Sequence, residues 1–150
     1  MNKLKEDSEM YRLWLLTGYA RIEDVIKWAD EIIEKLDSPP HEIIEVSLAS
    51  GIPDIISKLQ EVKGEFDFNN VFKRFLGMLY QHLLANSSDA KHIAHWLYNF
   101  MFECKHELPS EIEEYIYYFD DGFDLAVLGY YENLEDLTKE FKEFLFKHSM

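Results

Sequence analysis

An all-α fold of seven or eight helices follows from three features of the chain. Apolar residues recur at the helical spacing of about 3.6 and nowhere in strict alternation, proline and glycine fall where helices must start or stop, and the joints between periodic stretches are short. The 150 residues are 47% hydrophobic and 15% aromatic, enough to bury one sizeable core, so a single domain over residues 1–150 is the expectation. An irregular, orthogonal bundle is the expected arrangement, with a short stack of helical hairpins as the alternative.

The first clear stripe is Ile22, Val25, Ile26, Ala29, Ile33 and Leu36, which a helix brings to one side. Ser38, Pro39 and Pro40 stop it and suit the start of the next helix, where a missing proline N–H costs little. That helix reaches about Ser50. Gly51 then suits a left-handed stop, Pro53 a fresh first turn, and Gly64 the end of a helix closing near Val62. Phe68, Val71, Phe72, Phe75, Leu76, Leu79 and Leu83 mark a long helix rich in aromatics. Beyond a polar joint at 85–89, Ile93, Trp96, Leu97, Phe100, Met101 and Cys104 form the stripe of a helix running to about His106. Pro109 and Ser110 open another, with Ser110 and Glu113 spaced as a capping box and Ile112, Tyr115, Ile116, Phe119, Phe123, Ala126 and Val127 as its buried stripe. Gly129 ends it, and Leu134, Leu137, Phe141 and Leu145 face inward from a last helix over 134–147. One internal echo occurs, Ile22-Glu23-Asp24-Val25 against Leu134-Glu135-Asp136-Leu137; acids in the first turn of two helices account for it better than a repeat array does.

Charge is the strongest functional signal. The chain has 15 basic and 29 acidic residues, a formal net charge of −14, which disfavours nucleic acid and anionic membranes as partners because both are polyanions. The acidity is concentrated late: from Glu103 to Asp136 there are eleven carboxylates and one lysine, interleaved with seven tyrosines and phenylalanines. Such a segment draws in a cationic surface and offers aromatic contact area to it. The expected contact residues are Glu111, Glu114, Asp120, Asp121, Asp124, Glu132, Glu135 and Asp136, with Tyr117, Tyr118, Tyr130 and Tyr131 as anchors. Charge kept for solubility alone is the competing explanation.

The single cysteine, Cys104, rules out an internal disulfide and a cysteine-rich zinc site, and its place in an apolar stripe makes it a buried thiol. Charged residues at the start of the chain lead into an apolar stretch, Met10 to Leu16, that is too short for a secretory signal or a membrane span, so the cytoplasm is the expected location. No glycine-rich phosphate loop, H-E-x-x-H, G-x-S-x-G or EF-hand pattern occurs. Asp120, Asp121 and Asp124 around Gly122 lack calcium-loop spacing. No cofactor is expected.

His92, His95, Glu103 and His106 share one side of their helix and are the weak candidates for metal ligands. His95 and Glu103 are separated by about 12 Å of helical rise, so the four divide into two half-sites that each need ligands from elsewhere.

Three functional readings result. The leading one is a non-enzymatic acidic module that binds a basic protein; an immunity protein or inhibitor of a bacterial toxin or nuclease is its concrete form, by analogy of size and charge. A helical metal-binding protein or metalloenzyme using His92, His95, Glu103 and His106 is the second. The third is a structural subunit that self-associates through Leu15, Leu16 and the aromatics.

Overall fold

The computed structural model describes residues 3–104, 108–129 and 133–149. Among these residues there are eight α-helices, one short 3-10 turn and no strand, which is the all-α class expected. The helices gather into two compact units, Met1–Asp67 and Phe68–Met150.

In the first unit, helices α1 (Lys3–Thr17), α2 (Ile22–Lys35), α3 (His41–Leu48) and α4 (Ile52–Glu61) enclose a common apolar cluster. Val25, Trp28 and Ala29 of α2 meet Ile43 and Val46 of α3 and Ile55 and Leu59 of α4, with Leu15 and Val62 completing the cluster. Trp28 is therefore a core residue, its ring 4.8 Å from that of Tyr11. The helix ends have identifiable causes. Gly18 and Gly64 take positive φ (+89° and +128°), a conformation in which side chains with a Cβ are strained. Gly51 does not act as the left-handed stop expected of it; its φ of −171° is extended, and it precedes α4 as the N-cap, with Pro53 in the first turn.

Three polar ties hold these helices in register. The Lys5 ammonium donates to the carbonyl of Gln60 at 3.0 Å, in the last turn of α4, where carbonyls have no intrahelical partner. Lys5 also lies 3.9 Å from Glu9, which accepts from Arg12 at 2.9 Å; both Lys5 and Glu9 are buried, so each needs an opposite charge nearby. Glu45 joins α3 to α4 through Lys58 at 2.7 Å, and the hydrogen bond from Lys58 holds its carboxyl below the usual range. The Ser47 hydroxyl donates to Asp30, linking α3 to α2.

The second unit contains α5 (Phe68–Ala85), a 3-10 turn (Ser87–Asp89), α6 (Ala90–Glu103), α7 (Ser110–Val127) and α8 (Leu134–Ser149). Helix α5 packs chiefly on α8, α6 on α7, and α7 also on α8. The interior is aromatic: Phe75 stacks on Phe100 with ring centres 4.4 Å apart, and Phe141 meets Phe119 at 4.9 Å and Phe123 at 5.6 Å. Helix α7 approaches α8 closely because Gly122 lies in the contact. A Cβ there would lie 3.1 Å from Leu137 Cδ2.

Several expectations need correction in this unit. Ser110 is the first helical residue and Pro109 precedes it as the N-cap, with the Pro109 carbonyl accepting from Ile112 and Glu113; the Ser110–Glu113 capping box does not form because serine sits one position too far into the helix. Leu134 is exposed because it starts α8 ahead of the buried turn that holds Leu137. Tyr115 is also exposed, at the edge of the stripe, with its ring against Phe144. Trp96 is only half-buried and sits edge-on to His82 at 5.5 Å. The echo between the starts of α2 and α8 has a structural basis: Asp24 accepts the Arg21 backbone N–H at 2.9 Å, and Asp136 accepts the Asn133 amide at 2.8 Å. Each aspartate is the third residue of its helix and reaches back over the N-terminus.

Gly122→Val should destabilise the protein by about 1–3 kcal/mol through overpacking. In urea denaturation, the Gly122→Val/Leu137→Ala double variant should lose less stability than the two single variants together. Lys5→Met should cost about 1–3 kcal/mol, because the Gln60 carbonyl loses its donor.

Candidate functional site

Helix α7 buries Ile112, Ile116, Phe119 and Phe123, at i, i+4, i+7 and i+11, along one line. With 3.6 residues per turn, most of its polar residues fall on the remaining arc, with Asp120 buried at its edge. Glu114, Tyr117, Tyr118 and Asp121 fall there at i, i+3, i+4 and i+7, all exposed, with Glu111 and Leu125 extending the arc at either end. Tyr117 is 43% and Tyr118 41% exposed. These are large aromatic areas in a strongly negative surrounding.

One edge of the arc is fixed by α6. Lys91 faces Asp124 at 3.7 Å, His95 faces Asp120 at 3.5 Å, and the Tyr98 and Tyr117 rings meet at 5.6 Å, 71° apart. Each step of four and then three residues along α6 is matched by an equal step backwards along α7, so the two helices run antiparallel with one register. The pairing divides the expected contact acids. Asp124 remains exposed beside Lys91. Asp120 is buried and turned to His95, so it does not project charge. Burial holds its carboxyl above the usual range, Asp124 and Asp121 add to this, and His95 opposes it. Burial likewise raises the Tyr98 hydroxyl, reinforced by Tyr117, Asp120 and Asp121.

The other edge adjoins α8. The Tyr118 hydroxyl donates to Glu140 at 3.0 Å, which fixes the direction of that ring. Glu111 acts on His148, whose imidazole is held below the usual range by burial and Lys147 while Glu111 pulls it up. Asp136 is occupied by its cap: it accepts from the Asn133 side chain, and its own N–H donates to Asn133 Oδ1 at 3.1 Å. Glu135 is exposed. Tyr130, Tyr131, Glu132 and His106 lie outside the described residues. Of the expected acids, Glu111, Glu114 and Asp121 are therefore exposed on the arc of α7 that carries Tyr117 and Tyr118, and Glu135 is exposed separately in the first turn of α8.

The histidine side of α6 is divided between two carboxylates. His92 Nδ1 lies 3.3 Å from Asp89, and His95 faces Asp120 on the neighbouring helix. Glu103 is exposed at the end of α6. Among the described residues, no group of three or more His, Cys, Asp or Glu side chains is positioned to hold a metal ion. A pairing that the sequence reading missed is His82 with Asp89, 2.8 Å apart. His82 sits in the last turn of α5 and Asp89 at the end of the polar joint, in the 3-10 turn, and only the return of the chain brings them together. Their contact, and that of Asp89 with His92, hold the Asp89 carboxyl below the usual range. For the self-association reading, Leu15 belongs to the core cluster of the first unit and is not a surface contact. Cys104 is buried. No helix among the described residues is long and apolar enough to cross a membrane.

The two perturbed aspartates should show opposite pH behaviour in urea denaturation. Asp89 has a lowered folded pKa, so its contribution is present above the ordinary aspartate value of about 3.9 and is lost as pH falls through the folded value; Asp89→Asn should be destabilising near neutrality and converge on wild type in strong acid. Asp120 has a raised folded pKa, so the benefit of its protonated form is present below about 3.9 and is lost as pH rises through the folded value. Asp120→Asn should therefore gain stability above that value and none in strong acid.

Comparison with protein-family models, with curated proteins and with solved structures finds no match to this chain.

Proposed function

We propose that the chain is a non-enzymatic interaction module that binds a basic protein through the exposed arc of α7, in the reducing environment of the cytoplasm. The observation that carries this reading is the run of Glu114, Tyr117, Tyr118 and Asp121 on one exposed helical arc. Carboxylates steer a cationic surface into contact, and tyrosines supply area at low entropic cost. The net charge of −14 speeds encounter with a basic partner and repels nucleic acid and anionic membranes. Inhibition of a basic toxin or nuclease, with the acidic arc occupying the surface meant for phosphates, is the concrete form of this activity.

The test is affinity capture from the native host at low and high salt, followed by kinetics with the purified partner. A basic protein should be retained at about 50 mM salt and released at about 500 mM, because exposed charge pairs are screened beyond a few ångströms at the higher strength. The Glu114→Lys/Asp121→Lys variant should slow association by roughly ten-fold while changing dissociation much less. Capture that is indifferent to both salt and charge reversal would refute the electrostatic mechanism.

A further inference from the structure

We infer that the end of the α6–α7 seam where Tyr98, Phe102 and Tyr117 meet beside Asp121 is a recognition point for an arginine side chain of the basic partner, an assignment that rests on the interaction reading above. The seam changes character along its length. At one end Lys91 and His95 face Asp124 and Asp120, so those carboxylates already have polar partners on α6. Further along, the facing residues become rings. Phe102 stands at 87° to Tyr98 with centres 4.8 Å apart, and Tyr117 stands at 71° to the same ring at 5.6 Å. Both outer rings are exposed, Phe102 at 45% and Tyr117 at 43%.

The occupant follows from charge complementarity and shape. Asp120 is turned to His95, which makes Asp121 the exposed carboxylate of the pair. Asp121 lies one helical turn beyond Tyr117 on the exposed arc of α7, which places its carboxylate beside the rings, and it acts on the Tyr98 hydroxyl. Exposed aromatic faces beside a carboxylate match a planar cation. A guanidinium stacks on a ring while its N–H groups reach a carboxylate, and it sheds water more readily than an ammonium does. Lysine offers charge but no flat face. The chemistry therefore favours arginine within a basic surface.

The test uses deca-arginine and deca-lysine peptides as probes, with affinities measured by calorimetry on the full chain. The arginine peptide should bind roughly five-fold tighter than the lysine peptide, the size of one partly exposed cation–π contact. Phe102→Ala, at an exposed site, should weaken the arginine peptide more than the lysine peptide and so abolish that preference, and Tyr117→Phe, which keeps the ring, should retain it. Equal affinity for the two peptides in the wild type, or a preference that survives Phe102→Ala, overturns the assignment. If both peptides bind equally and Glu114→Lys/Asp121→Lys weakens both, the arginine assignment falls alone. If neither peptide binds, the interaction reading falls with it.

Discussion

The burial of one side of α7 is the constraint from which the candidate surface follows. Ile112, Ile116, Phe119 and Phe123 occupy the inward line of this helix, and each full burial of such a side chain is worth about 1.5–3 kcal/mol. The rotation of the helix about its own axis is thereby fixed. Every carboxylate in the same stretch must then find a place on what remains of the circumference. Gly122 reinforces the constraint, since its lack of a side chain lets Leu137 of α8 come close and holds the two helices at a short separation.

Helix α6 supplies the compensation along one edge. A repulsive row of Asp120, Asp121 and Asp124 would weaken the unit if it were wholly unopposed. Lys91 and His95 meet two of its three members, and the third, Asp121, lies on the exposed arc that carries Tyr117 and Tyr118. The members of one acidic row thus differ in environment: two face α6 and one lies on the exposed arc. Asp120 illustrates the cost: it lies where the helix turns inward, and burial disfavours its charged form even with His95 opposite. Asp89 and Asp136 show that acids also have ordinary structural work, the first between two histidines and the second over a helix N-terminus.

Most helix positions were legible in the chain because they depend on local rules. The stripes of Val71, Phe72, Phe75, Leu76 and Leu79, and of Ile112, Ile116, Phe119 and Phe123, are buried as their spacing requires. Gly64 and Gly129 close their segments with positive φ. Local signals mislead where a residue suits two roles or two adjacent placements. Ser110 was a plausible cap, yet the extended Pro109 took that role; Gly51 suited a stop, yet it opens the next helix. Trp96 and Tyr115 sit at the margins of their stripes, where the neighbouring helix decides whether a ring is covered. The acidic arc was half-visible: composition located it, but helical phase alone could not show that Asp120 would face His95 or that Tyr118 would bond to Glu140.

The sequence by itself determined the all-helical class, the approximate helix limits, the centres of the buried stripes though not their ends, where Leu36, Val127 and Leu134 are exposed, and the concentration of negative charge in the second half, because periodicity, chain-breaking residues and net charge are properties of neighbours along the chain. The tertiary structure alone decided which carboxylates meet basic side chains, which are consumed by caps, and which rings gather at the α6–α7 seam. Those outcomes depend on contacts between helices, and the antiparallel register that creates them is set by how side chains of both helices fill space together, a quantity that neither helix encodes alone.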